Sequence, residues 1–141
     1  MTVHLLKLCV GIDSVEHLIE VRKGREQTLP DGRPYNYHIT RFAPKRAEEV
    51  LDGGALYWVI KGFILVRQPI IGFEEVKTDN GTKCKIILDT GLVRTESQPR
   101  RPHQGWRYLE PADAPRDLPE GQRADDLPKA LRRDLQELGL I

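Results

Sequence analysis

Apolar residues in this chain come mostly in short runs at strand spacing, broken by glycine and proline, and only occasionally at helical spacing. Residues 3–10 (VHLLKLCV) predict a first strand, buried on at least one face. Asp13 with Glu16 three residues on has the form of a helix N-cap and its capping-box partner. Val15, Leu18, Ile19 and Arg22 then follow at helical spacing as far as Gly24, which predicts a helix over 13–24. Residues 27–35 contain Pro30-Asp31-Gly32 and Pro34, turn chemistry that predicts an exposed loop. The alternation in 35–42 (YNYHITRF) sets Tyr37, Ile39 and Arg41 against Asn36, His38 and Thr40 and predicts a second strand.

Pro44 at a first helical position opens a helix over 44–52, with Gly53-Gly54 as its stop. Residues 55–61 (ALYWVIK) and 63–71 (FILVRQPII), parted at Gly62 and continued by 72–77, read as the central strands of a sheet. Asp79-Asn80-Gly81 is the strongest local signal, predicting a type I′ turn that joins 73–78 to 82–89 as a hairpin. Residues 106–109 are a last strand, and the proline- and acid-rich stretch 110–122 runs extended over the surface. Leu127, Leu131, Leu135 and Leu138 then form one stripe of a final helix near 127–138.

This order predicts an α+β fold: a mostly antiparallel, barrel-like sheet of roughly five to seven strands with two or three flanking helices. Residues 1–122 read as one domain and 123–141 as a C-terminal helix, docked on that domain or at a dimer contact. A chain of 141 residues is long enough for one core.

Charge sharpens the picture in one place. The formal net charge is only +1, which gives no global field for nucleic acid. Residues 61–108, however, carry nine basic against five acidic side chains, whereas 109–141 carry five against eight. Cys9 and Cys84 lie inside apolar runs, so no disulfide framework is expected and the natural compartment is a reducing cytoplasm. No window approaches the roughly 18 apolar residues of a membrane span, and the N-terminal run is too short for a signal sequence.

Most catalytic chemistry finds no signature. His4, His17, His38 and His103 share no metal-ligand spacing, so neither a metal nor another cofactor is expected. No Gly-x-Ser-x-Gly elbow and no phosphate-loop glycine pattern occurs. Glu48-Glu49 and Glu74-Glu75 are adjacent pairs that do not face each other.

Two features remain. Residues 94–109 (RTESQPRRPHQGWRYL) set Arg94, Arg100, Arg101 and Arg107 beside His103, Gln104 and Trp106, with prolines stiffening the backbone. Guanidinium forks bind phosphates and aromatic faces stack on bases, so this mixture suits a nucleic-acid or anion groove. The plainer alternative is a structural clamp, with the arginines paired to Asp113, Asp117 or the acidic tail. The second feature is Trp58 and Lys61 with Arg67 in the central strands; Trp58 is either core or a stacking platform beside a cation. Arg41, Lys45 and Arg46 sit on another loop that can reach the same surface.

The motifs GGALYWVIKG, VRQPIIGFE and RRPHQGWRYL resemble a family of short conserved bacterial proteins of unknown function, over most of residues 1–120. That resemblance implies no assigned activity. The helix stop at Gly53-Gly54, the Tyr-Trp strand, residues 63–74 and the hairpin are also similar to the PUA-like superfamily, small pseudo-barrels that commonly bind RNA or modified bases. That likeness implies a ligand groove lined by 41–46 and 57–61. The expected function is a non-catalytic RNA- or nucleotide-binding module. The alternatives are a small enzyme acting on a nucleotide or other anionic metabolite, with His103 as general acid or base, and a protein-interaction module.

Overall fold

In the computed structural model, which describes residues 2–101 and 103–118, the apolar runs become eight strands of one mixed sheet, with two α-helices. In chain order these are β1 (His4–Leu8), α1 (Val15–Lys23), β2 (Gln27–Thr28), β3 (Pro34–Thr40), α2 (Ala47–Leu51), β4 (Ala55–Ile60), β5 (Phe63–Thr78), β6 (Gly81–Asp89), β7 (Val93–Pro99) and β8 (Trp106–Leu109). A 3-10 turn follows at Pro111–Asp113. The strands lie in the order β2-β3-β6-β5-β4-β1-β8, and β7 joins β5 outside that path. Every pairing is antiparallel except β1 with β4. The final helix expected near 127–138 lies outside the described residues.

The sheet is organised by β5, whose sixteen residues serve two sets of neighbours. Its first half pairs with β4 on one edge and β7 on the other, and from Ile70 onward it pairs with β6. Register shifts mark the change, between Ile64 and Val66 against β7 and between Ile70 and Gly72 against β6. Such bulges bend a strand and increase its twist. The bend is deep enough for the His38 ring of β3 to meet the Trp58 ring of β4 edge-on at 5.4 Å, although β6 and β5 separate those strands.

The barrel-like closure expected from the sequence is not formed. The outer strands β2 and β8 do not pair with each other. After β3 the chain turns away through 41–46, where Pro44 has no N–H to extend a ladder. The approach of β8 is made by a side chain instead: Trp106 Nε1 donates to the Phe42 carbonyl at 2.9 Å. The open gap between β8 and the end of β3 is therefore a groove.

All six residues of β4 are buried, which is why its sequence is continuously apolar and not alternating. Leu56, Trp58 and Ile60 face the inside of the bend with Leu5, Val66, Ile86 and Leu88, beneath Val15 and Leu18 of α1. Tyr57 and Val59 face the other way with Leu6, Ile64 and Leu109. Gly54 permits the close approach that starts β4, since a Cβ there would strike the carbonyl oxygens of Val50 and Val3.

Several local expectations are corrected. Ser14, not Asp13, caps α1, its Oγ accepting from the His17 amide at 3.0 Å. The loop at 27–35 is a hairpin, because Gly32 at φ 89° lets β2 fold back on Pro34 and Tyr35. Helix α2 begins after Arg46, whose amide is held by the Tyr108 hydroxyl at 3.1 Å, so Pro44 precedes the helix. At 79–81 only Gly81 has positive φ, the pattern of a type I turn followed by a left-handed glycine. The type I′ signature falls instead on Lys61 (φ 49°) and Gly62 (φ 88°), between the paired Ile60 and Phe63. Residues 93–99, read as part of a binding segment, are a strand with Thr95 buried.

A buried polar chain links these parts. Trp58 Nε1 donates to Gln68 Oε1 at 3.2 Å, and Gln68 Nε2 donates to Asn36 Oδ1 at 2.9 Å and to the Asp89 carbonyl at 2.7 Å. Asn36 Nδ2 in turn donates to the Arg22 carbonyl at the end of α1, at 3.0 Å. Replacing Gln68 by leucine keeps the volume and strands these groups in the core. The expected loss is about 3 kcal/mol or more, at ~1–3 kcal/mol for each of the three groups left without the Gln68 amide. Urea denaturation checks it, and an unchanged midpoint would show that the chain carries no stability.

Candidate functional site

The residues singled out in the sequence do not gather on one surface. Arg94 donates to Glu16 at 3.0 Å, tying β7 to α1. Arg100 donates to its neighbour Gln98 at 2.8 Å and points toward the carbonyl of Asp113, 3.3 Å away. Along an extended chain the six-residue step from Arg94 to Arg100 spans roughly 20 Å. Arg46 is bound to Glu49 at 2.6 Å and to Glu110 at 2.9 Å, with its guanidinium 5.2 Å from the centre of the Tyr108 ring. Trp58 is only 1% exposed. Lys61 sits in the β4–β5 turn, 3.5 Å from Asp13. Lys45 and Arg101 are exposed.

A smaller set does come together. Arg41, Gln104, Trp106 and Arg107 line the groove between β8 and the end of β3, with Phe42 and Lys7, in a volume of about 460 Å³. Phe42 is 66% exposed, and the Arg41 guanidinium lies 5.3 Å from the centre of its ring. Trp106 is fixed at the edge of the groove by its bond to the Phe42 carbonyl and by an edge-on contact with Tyr108 at 4.9 Å. Arg107 folds back so that one terminal nitrogen donates to the Gln104 and Trp106 carbonyls at 2.9 and 3.1 Å, which leaves the other terminal nitrogen for a ligand. His103 has both ring nitrogens buried without a hydrogen-bond partner. Burial lowers its pKa, and the Arg107 and Lys7 cations add to that effect.

On the other side of Lys7 lies a second cleft of about 420 Å³, between the end of β1 and the C-terminal half of α1. Its lining includes Arg22, Arg25, His38 and Trp58 as well as Lys7. Among the described residues the lining of neither cleft contains an aspartate or a glutamate. Burial lowers the pKa of Lys7 and of Arg22. Burial, then the Lys7 and Arg22 cations, bring His38 down to about 4, so its ring is neutral at pH 7. Burial pushes the Cys9 thiol up to about 11, which removes it as a nucleophile.

Lys7, Arg22, His38 and Phe42 were not singled out from the sequence as site residues, though each carried a signal. Lys7 shares strand parity with the core residues Leu5 and Cys9. Arg22 continues the apolar stripe Val15, Leu18, Ile19 of α1. Cations on faces that should be buried are the mark of a site or of an ion pair. Among the described residues no cluster of three or more His, Cys, Asp and Glu side chains is placed to hold a metal, and no helix is long and apolar enough to cross a membrane.

The chain belongs to the DUF1489 family, described as a protein of unknown function, whose family profile matches residues 5–141. The match bears out the resemblance to a family of unknown function, and it reaches beyond the 1–120 that the three motifs suggested. The PUA-like likeness is not shown. No curated protein and no solved structure matches the chain.

The depressed pKa of His38 has a definite sign in stability. Its folded value, about 4, lies below the ordinary 6.5, so the unfolded chain binds the proton first. Stability from this group is full above pH ~6.5 and is lost as pH falls toward 4, by at most about 3 kcal/mol. His38→Asn should flatten the decline between pH 7 and 5 in denaturation curves. An NMR titration in which the His38 ring protonates near pH 6.5 would contradict the assignment.

Proposed function

We propose that the chain is a non-catalytic module that binds RNA or a nucleotide in the groove between β8 and the end of β3. The observation that carries this reading is the convergence of Lys7, Arg41 and Arg107 on a groove with no carboxylate in its lining among the described residues. Cations left without acidic neighbours attract phosphate, and guanidinium forks hold it through paired N–H bonds. Phe42 supplies the exposed ring on which a base stacks, with Trp106 closing the edge. A volume of about 460 Å³ accommodates a nucleotide-sized ligand. Arg94 and Arg46 take no part, since each is paired with a carboxylate, and Arg100 lies outside the lining of the groove.

Fluorescence anisotropy with short single-stranded RNA and with a labelled nucleotide tests the proposal. Affinity for RNA should fall about tenfold or more between ~50 and ~200 mM salt, the behaviour of several phosphate contacts. Arg41→Glu with Arg107→Glu should weaken binding by about tenfold or more and flatten that salt dependence, whereas Arg100→Ala should leave it unchanged. Absence of binding at ~50 mM salt, or equal affinity in the double variant, would sink the assignment.

A further inference from the structure

The second cleft is built differently from the groove. Arg22 and Arg25 come from α1 and the helix's following turn, Lys7 from β1, and His38 from β3. The Arg22 guanidinium lies over the Trp58 ring, 5.0 Å from its centre, and one terminal nitrogen donates to the Tyr37 carbonyl at 3.0 Å. Its Nε is buried and has no partner. No carboxylate pairs with Arg22 or Lys7 among the described residues, and the nearby cation Arg25 adds to the effect of burial on Arg22. Desolvating a cation without a counter-charge is costly, so natural proteins pair such groups. Here the fold holds Arg22 in place through its own backbone, because Asn36 bonds the Arg22 carbonyl, and through Trp58 beneath it. The head group is thus positioned by the core while its charge remains uncompensated.

We infer that this cleft is a binding site for a phosphate group, held by Arg22, Arg25 and Lys7 with the His38 ring beside it. With one terminal nitrogen held by the Tyr37 carbonyl, the Arg22 guanidinium offers the other to a phosphate oxygen. Lys7 supplies a point charge from the sheet, and Arg25 closes the exposed side. The cleft excludes bulky ligands by its floor, since Trp58 and Cys9 are already packed against the core. The site stands on these residues whether or not the groove binds RNA, and shares only Lys7 with it. Because Lys7 borders both spaces, the phosphate is either free inorganic phosphate or the terminal phosphate of a nucleotide whose base lies toward Phe42.

Thermal unfolding of the full chain in inorganic phosphate, against chloride at matched ionic strength, is the direct test. A ligand that binds only the folded state raises the midpoint with concentration, by a few °C at ~100 times its dissociation constant. The wild-type midpoint should rise in phosphate, and Arg22→Gln should abolish the rise. Arg25→Gln lies at an exposed position and should fold normally, so it decides the matter if Arg22→Gln does not fold; it should weaken phosphate binding severalfold. The Arg41→Glu and Arg107→Glu protein should keep the full phosphate effect, which separates this site from the groove. A stronger effect of adenosine 5′-monophosphate than of phosphate, lost in that double variant, identifies the terminal phosphate of a nucleotide. Equal effects of the two identify free phosphate. A wild-type midpoint that responds to phosphate no more than to chloride, or a folded Arg25→Gln protein with undiminished response, would overturn the inference.

Discussion

Gln68 occupies the point on which the rest of the architecture turns. It lies on β5 opposite Leu56 of β4, at the point on the other edge where pairing with β7 ends and pairing with β6 has yet to begin. A strand that changes partners leaves backbone groups at the junction without ladder hydrogen bonds, and those groups must be satisfied in some other way. The Gln68 amide does this from a fully buried position, accepting from Trp58 and donating to Asn36 and to the last carbonyl of β6. One side chain therefore joins β4, β5, β6 and β3, and through Asn36 it reaches the end of α1.

That junction determines what the inner face contains. Because Asn36 must point inward to meet Gln68, its alternation partners His38 and Thr40 point inward as well, and Tyr37 and Ile39 are left on the outside. The polar side of β3 is consequently the buried side. His38 meets Trp58 in the interior, and Arg22 lies over the same indole. The mouth of the bent sheet is thus lined by cations and neutral polar groups, with Lys7 between its two clefts.

The arginines divide by whether the fold supplies a carboxylate. Arg67 forms a bidentate pair with Asp117 at 2.8 Å for both contacts, Arg94 reaches Glu16, and Arg46 reaches Glu110. Each pair joins segments at least fifty residues apart, and the 114–118 stretch is further laced to β7 by the Glu96 and Leu118 amides. These contacts clamp the sheet, but with other partners than expected: Asp117 takes Arg67, and Arg94 takes Glu16. Among the described residues Arg22, Arg25, Arg41 and Arg107 have no such partner in the clefts they line. Chemical character alone does not distinguish the two sets, since exposed pairs contribute little to stability and the same guanidinium serves either role.

Local sequence determined where most elements lie. The runs around 4–8, 55–60, 63–78 and 81–89, the α1 stripe and the glycine-marked turns were legible because strand and helix periods, caps and positive-φ positions depend on neighbouring residues only. The α+β class and the predominance of antiparallel pairing follow from that order. Tertiary structure decided what depends on long-range partners: the single long β5, the strand at 93–99, the parallel pairing of β1 with β4, and the open gap in place of a closed barrel. It also decided which cations converge. Arg94 and Arg100 are near in sequence yet engaged apart, whereas Lys7 meets Arg41 and Arg107 in one cleft and Arg22 in the other. Periodicity reports which face of an element a residue occupies, but the partner of that face is chosen only when the whole sheet bends.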